Sequence, residues 1–109
     1  TMTYTSTTAP LYSGIHLLIG SGVESVIENN QISNIACTTT STGTSANGVF
    51  SGIYLGSSAV AKVIGNTIGS STGTGSISVT VNGAGTPIVN GIKSDATGTI
   101  KIENNTIGA

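Results

Sequence analysis

Apolar side chains recur along this chain with a period of two, in short runs separated by stretches of Ser, Thr, Gly and Asn. Period two is the repeat of an extended strand, whose successive side chains point to opposite faces. The runs also repeat one another. Leu11-Tyr12-Ser13-Gly14-Ile15 returns as Val49-Phe50-Ser51-Gly52-Ile53 and as Ile88-Val89-Asn90-Gly91-Ile92, at separations of 38 and 39 residues. A second signature follows each copy: Ile27-Glu28-Asn29-Asn30-Gln31-Ile32, then Val63-Ile64-Gly65-Asn66-Thr67-Ile68, then Ile102-Glu103-Asn104-Asn105-Thr106-Ile107. A Ser/Thr-rich segment precedes each copy. The unit is therefore read as three strands, and the chain holds about three units of 38–39 residues, over 1–37, 38–75 and 76–109.

Period two predicts which positions face inward. In the second strand of each unit these are Leu11, Ser13, Ile15 and Leu17, then Val49, Ser51, Ile53 and Leu55, then Ile88, Asn90, Ile92 and Ser94, with His16, Tyr54 and Lys93 outward. In the third strand Ser25/Ala61/Ile100 and Ile27/Val63/Ile102 face inward, and Ile32/Ile68/Ile107 turns in again after the Asn pair. In the first strand, the same separations set Met2/Thr40/Val79 and Tyr4/Thr42/Val81 inside. They set Thr1/Thr39/Ser78 and Thr3/Ser41/Thr80 outside. A register kept over some 38 residues suits a stack of coils, in which equivalent residues lie about 4.8 Å apart on neighbouring parallel strands. Asn30, Asn66 and Asn105 then form an asparagine ladder, each side-chain amide donating to the next side-chain carbonyl at a corner.

The recurring G-I-x-L and V-I-x-N-N-x-I-G patterns resemble the right-handed parallel β-helix repeat of pectate-lyase-like proteins and of large bacterial surface proteins. The resemblance covers nearly the whole chain and is least specific in the Ser/Thr strand. It implies an all-β, right-handed parallel β-helix of about three coils with three strands each. It implies no enzyme, because the repeat is a scaffold onto which activities are grafted.

Composition agrees. Sixteen glycines and abundant Thr, Ser, Ile, Val and Asn suit short strands joined by corners. Only 6% of residues are charged and the net charge is −1, with no arginine. Three scattered lysines cannot neutralise a phosphate backbone, so no nucleic-acid partner is expected. No apolar run nears the length of a membrane span, so no membrane insertion is expected.

Candidate chemistry is sparse. His16 is the only histidine, and its aligned outward neighbours Tyr54 and Lys93 make no ligand set. The single Cys37 reads as a small buried hydrophobe. Glu28 and Glu103 occupy equivalent slots two coils apart, at a separation near that of inverting glycosidases, but Ile64 stands between them. The G-x-G stretches lack a following helix and read as turns. Asn104-Asn105-Thr106 fits a glycosylation sequon that overlaps the ladder. No catalytic residue, cofactor or metal site is expected.

The reading of function is structural: a stalk or filament-building segment of an extracellular or cell-surface fibre or adhesin, part of a longer array or a subunit that stacks end to end. Its partners are neighbouring coils, covalent or homo-oligomeric. One alternative is a glycan- or ice-binding surface formed by the hydroxyls of Thr1, Thr3, Thr39, Ser41, Ser78 and Thr80, or by the rings at Tyr12, Phe50 and Tyr54. Another is the scaffold of a polysaccharide-active enzyme whose catalytic coils lie elsewhere.

Overall fold

The chain passes three times through the same four sheets. In the computed structural model, which describes residues 2–6, 12–40, 48–73, 75–84 and 87–108, the first pass is β1 (Met2–Ser6), β2 (Tyr12–Ile19), β3 (Ser25–Glu28) and β4 (Gln31–Ile32). The second is β5 (Ile35–Thr39), β6 (Phe50–Ser57), β7 (Ala61–Ile64) and β8 (Thr67–Ile68). The third is β9 (Ile77–Val81), β10 (Val89–Ser94), β11 (Ile100–Glu103) and β12 (Thr106–Ile107). Each pass contributes one strand to each of four three-stranded sheets, and every pairing is parallel. The described residues are all-β. Each pass has four strands rather than three, because the residues after the Asn corner form a short strand of their own.

Like residues lie beside like in three of the sheets. Ile15 pairs with Ile53 and Ile53 with Ile92, and Leu17 pairs with Leu55. Ile27, Val63 and Ile102 form one column, and Ile32, Ile68 and Ile107 another. β-Branched side chains with one preferred χ1 rotamer suit this pleated stacking. The core sits in the middle pass, where Ile53, Leu55 and Val63 are wholly buried and Ile68 nearly so. Gly-Ile recurs in all three passes, and the glycine has a steric reason. A Cβ on Gly52 would lie 2.7 Å from Ile68 Cγ2 and 2.6 Å from the Gly91 carbonyl oxygen. Gly14 and Gly91 meet Ile32 and Ile107 in the same way.

The first strand departs from the expected register. Met2 pairs with Ile35 and Ile35 with Ile77, Thr3 with Ala36 and Ala36 with Ser78, Tyr4 with Cys37 and Cys37 with Val79, and Thr38 with Thr80. Ser6, Thr39 and Val81 share the last column. The spacing between passes is 33 and then 42 residues in this sheet, against 38 and 39 in the next one. Corner length is the cause. The segments that join the first strand to the second differ between passes: residues 7–11 join β1 to β2, residues 40–49 join β5 to β6, and residues 82–88 join β9 to β10. Thr39 was expected outward but is buried at 1% exposure. Thr40 was expected inward but is exposed beyond the end of β5. Thr1, Leu11, Ser41 and Thr42 lie outside the described residues, as do the side chains of Met2 and Tyr4.

Candidate functional site

The corner between the third and fourth strands of each pass is the most ordered polar arrangement in the molecule. Asn29, Gly65 and Asn104 occupy equivalent places there with φ of 55°, 65° and 54°. Glycine takes that left-handed conformation freely and asparagine tolerates it, and the turn it makes directs the next residue inward. That next residue is the ladder asparagine. Asn30 Nδ2 donates to Asn66 Oδ1 at 2.9 Å, and Asn66 Nδ2 donates to Asn105 Oδ1 at 2.9 Å. The same acceptors take the backbone N–H of Asn30 (3.0 Å) and of Asn66 (2.9 Å). Asn66 Nδ2 also donates to the Ile27 carbonyl across the stack, and Asn105 Nδ2 to that of Val63. Asn66 is wholly buried, so these bonds replace all of its hydration. The N-N-x-I spacing located the three asparagines in the sequence. The residue before each one, which carries the strained backbone, had only Asn-or-Gly identity as its signal.

The outward face of the second sheet gathers most of the remaining chemistry. His16 pairs with Tyr54 and Tyr54 with Lys93 in register, and the His16 and Tyr54 rings tilt together at 4.7 Å between centroids. Partial burial and a hydrogen bond to Asp95 hold the Tyr54 hydroxyl above the usual phenol range. Lys93 lies 3.2 Å from Asp95. Asp95 closes this cluster from the strand end, and no sequence pattern marked it. Among the described residues, no three His, Cys, Asp or Glu side chains are grouped as metal ligands.

Elsewhere the acids serve lysines. Lys62 and Glu24 approach to 2.9 Å, which raises the Lys62 pKa through a hydrogen bond and the neighbouring charge. Lys101 and Glu103 approach to 3.2 Å. Glu28 and Glu103 sit on either side of Ile64 in one column, so the two carboxylates are not neighbours. Cys37 is buried in β5, and burial pushes its thiol pKa up, which disfavours the reactive thiolate.

The hydroxyl face is not a continuous array. Thr3, Ser78 and Thr80 are exposed, but Ala36 stands between Thr3 and Ser78, and Thr39 points into the core. Thr1 and Ser41 lie outside the described residues. Phe50, expected among the surface rings, is buried in the core cluster, where Tyr12 packs against it. The two rings stack at 5.5 Å with planes 12° apart. Tyr54 is the one of the three rings on the outer face. Compared with known proteins, the chain matches no protein-family model, no curated protein and no solved structure.

Proposed function

We propose that this chain is a length of right-handed parallel β-helix that serves as stalk or filament material of an extracellular or cell-surface protein, without catalysis of its own. The observation that carries the reading is the columnar register: Ile27/Val63/Ile102, Ile32/Ile68/Ile107 and Asn30/Asn66/Asn105 each repeat one residue class across three parallel strands. Such a stack lengthens without changing its cross-section, because each pass needs only the passes beside it. Backbone hydrogen bonds between passes run along the growth direction and resist axial load together. Low charge supports the reading too, since like charges in one column would repel at every step.

Glycan or ice recognition by the Ser/Thr face is the weaker reading, because Ala36 interrupts that face and Thr39 is absent from it. Small-angle X-ray scattering tests the stalk reading on two copies of the sequence joined end to end in one polypeptide. The expected particle keeps its cross-section and gains about 14 Å along one axis, three strand spacings of about 4.8 Å. Two separately tumbling globules would overturn it.

A further inference from the structure

The columns end differently on the two outer passes, and the differences are complementary. At the third pass Val89 occupies the column of Tyr12 and Phe50. Where the two rings stack, Val89 supplies no ring, and a cavity of about 210 Å³ opens there over Phe50, Ile68, Val89, Asn90 and Ile107. Val89 and Ile107 are more than half exposed. Ser13, Ser51 and Asn90 share the adjacent column, and Ser13 Oγ, Ser51 Oγ and Asn90 Nδ2 are all buried without a hydrogen-bond partner. Buried orphans of this kind are uncommon and costly. The asparagine ladder also has a direction. Asn66 Nδ2 reaches a carbonyl of the preceding pass, one of its own pass and Oδ1 of the next asparagine. Asn105 Nδ2 makes only the first two kinds of bond, and Asn30 Oδ1 accepts none among the described residues.

We infer that the third-pass edge of one molecule receives the first-pass edge of a second copy, head to tail, in the register that relates successive passes within the chain; this rests on the β-helix reading above. The incoming Tyr12 then occupies the column above Val89 and closes the cavity. The incoming Asn30 presents Oδ1 to Asn105 Nδ2 and continues the ladder. Pairing two third-pass edges instead would set the Asn105 amides donor against donor. A head-to-tail contact leaves the same two edges free again, so it propagates as a filament rather than closing as a dimer.

The same register contains one unfavourable neighbour. Glu103 and Glu28 end the column held by Ile64, so the incoming Glu28 falls directly beside Glu103. Like charges directly opposite across a strand pair are destabilising. That flaw makes a test specific to this register.

Sedimentation velocity over a concentration series, with electron microscopy of the heaviest fractions, decides the matter. The unaltered chain is expected to form unbranched rods. Val89→Lys places a charge over the cavity at a half-exposed site, and is expected to remain monomeric with unchanged β-sheet circular dichroism. Glu28→Gln is expected to lower the half-assembly concentration by roughly twofold, the effect of relieving one exposed like-charge pair. A folded chain that stays monomeric up to millimolar concentration would overturn the inference, as would a closed dimer or rods unaffected by Val89→Lys. Should Val89→Lys fail to fold, the Glu28→Gln shift decides alone, and no shift or a weakening counts against the inference. A folded monomer refutes the stacking only. The β-helix reading fails separately, on loss of through-space nuclear contacts between Ile27 and Val63 in that monomer.

Discussion

Ile68 and Ile107 are the same residue in the same column, one pass apart, yet Ile68 is 1% exposed and Ile107 59%. Val63 and Ile102 repeat the contrast at 0% and 49%. The side chains face the same way and differ only in what lies on their far side. The middle pass is covered by strands on both edges; the third pass is covered on one. On the third pass burial is therefore set by the open edge more than by residue type, whereas on the first pass, also covered on one edge, Ile27 and Ile32 stay buried at 7% and 8%. Stability resides largely in the contacts between neighbouring passes. β6 and β10 make the point along a whole strand, since nearly every residue of β6 is buried and none of β10 is.

The sharpest way to break the comparison is to place a carboxylate in each environment. Ile53→Asp inserts a charge at a wholly buried site with no partner, which costs several kcal/mol and is expected to abolish cooperative folding. Ile102→Asp, half exposed on the third pass, is expected to cost about 1 kcal/mol and to leave a cooperative melt lowered by about 4–8 °C. Thermal circular dichroism on both variants reads the difference. Equal losses would mean that neighbouring passes do not supply the burial.

A second contrast lies within one strand. Thr39 is buried and Thr38 only partly so, on opposite faces of β5. Thr39→Lys forces a charge or its long stem into the core beside the Val81 column and is expected to cost about 2–4 kcal/mol. Thr38→Lys lies in the outward column with Thr80 and is expected to stay within about 0.5 kcal/mol. Chemical denaturation midpoints measure both. The reverse order would move the strand by one residue.

That strand also marks where the sequence stopped being legible. In the second and third strands, glycine, isoleucine and asparagine sit at fixed distances from one another, so a single alignment sets every column from Tyr12 to Ile32. The Ser/Thr strand has no such landmark. Thr38, Thr39 and Thr40 are chemically interchangeable, and a slip of one residue exchanges the two faces. Extending the 38-residue spacing backwards into this strand assumed equal segments between the first and second strands, whereas these hold five, ten and seven residues. The asparagine ladder was legible for the opposite reason: each asparagine is bracketed by an αL-tolerant residue before it and an inward isoleucine two places after it.

The ladder offers the finest version of the comparison, because Asn66 and Asn105 differ in how many bonds depend on them. Removing the Asn66 side chain deprives Asn30 of an acceptor for both its backbone N–H and its Nδ2, and takes the Nδ2 donor from Asn105 Oδ1, which keeps the Asn66 backbone N–H. It also leaves the Ile27 carbonyl without that amide and opens a void at a wholly buried site. Asn66→Ala is therefore expected to cost about 2–3 kcal/mol. Removing the Asn105 side chain takes the acceptor from the Asn66 backbone N–H and Nδ2, but Nδ2 retains the Ile27 and Ile64 carbonyls, and solvent reaches the partly exposed corner. Asn105→Ala is expected to cost about 1 kcal/mol. Urea denaturation of the two variants and of the double variant measures the gap. Because the ladder bond between them is lost in either single variant, the double variant is expected to fall short of the sum of the two. Strict additivity would mean that the two amides act separately, and the corner would then be three independent turns instead of one column.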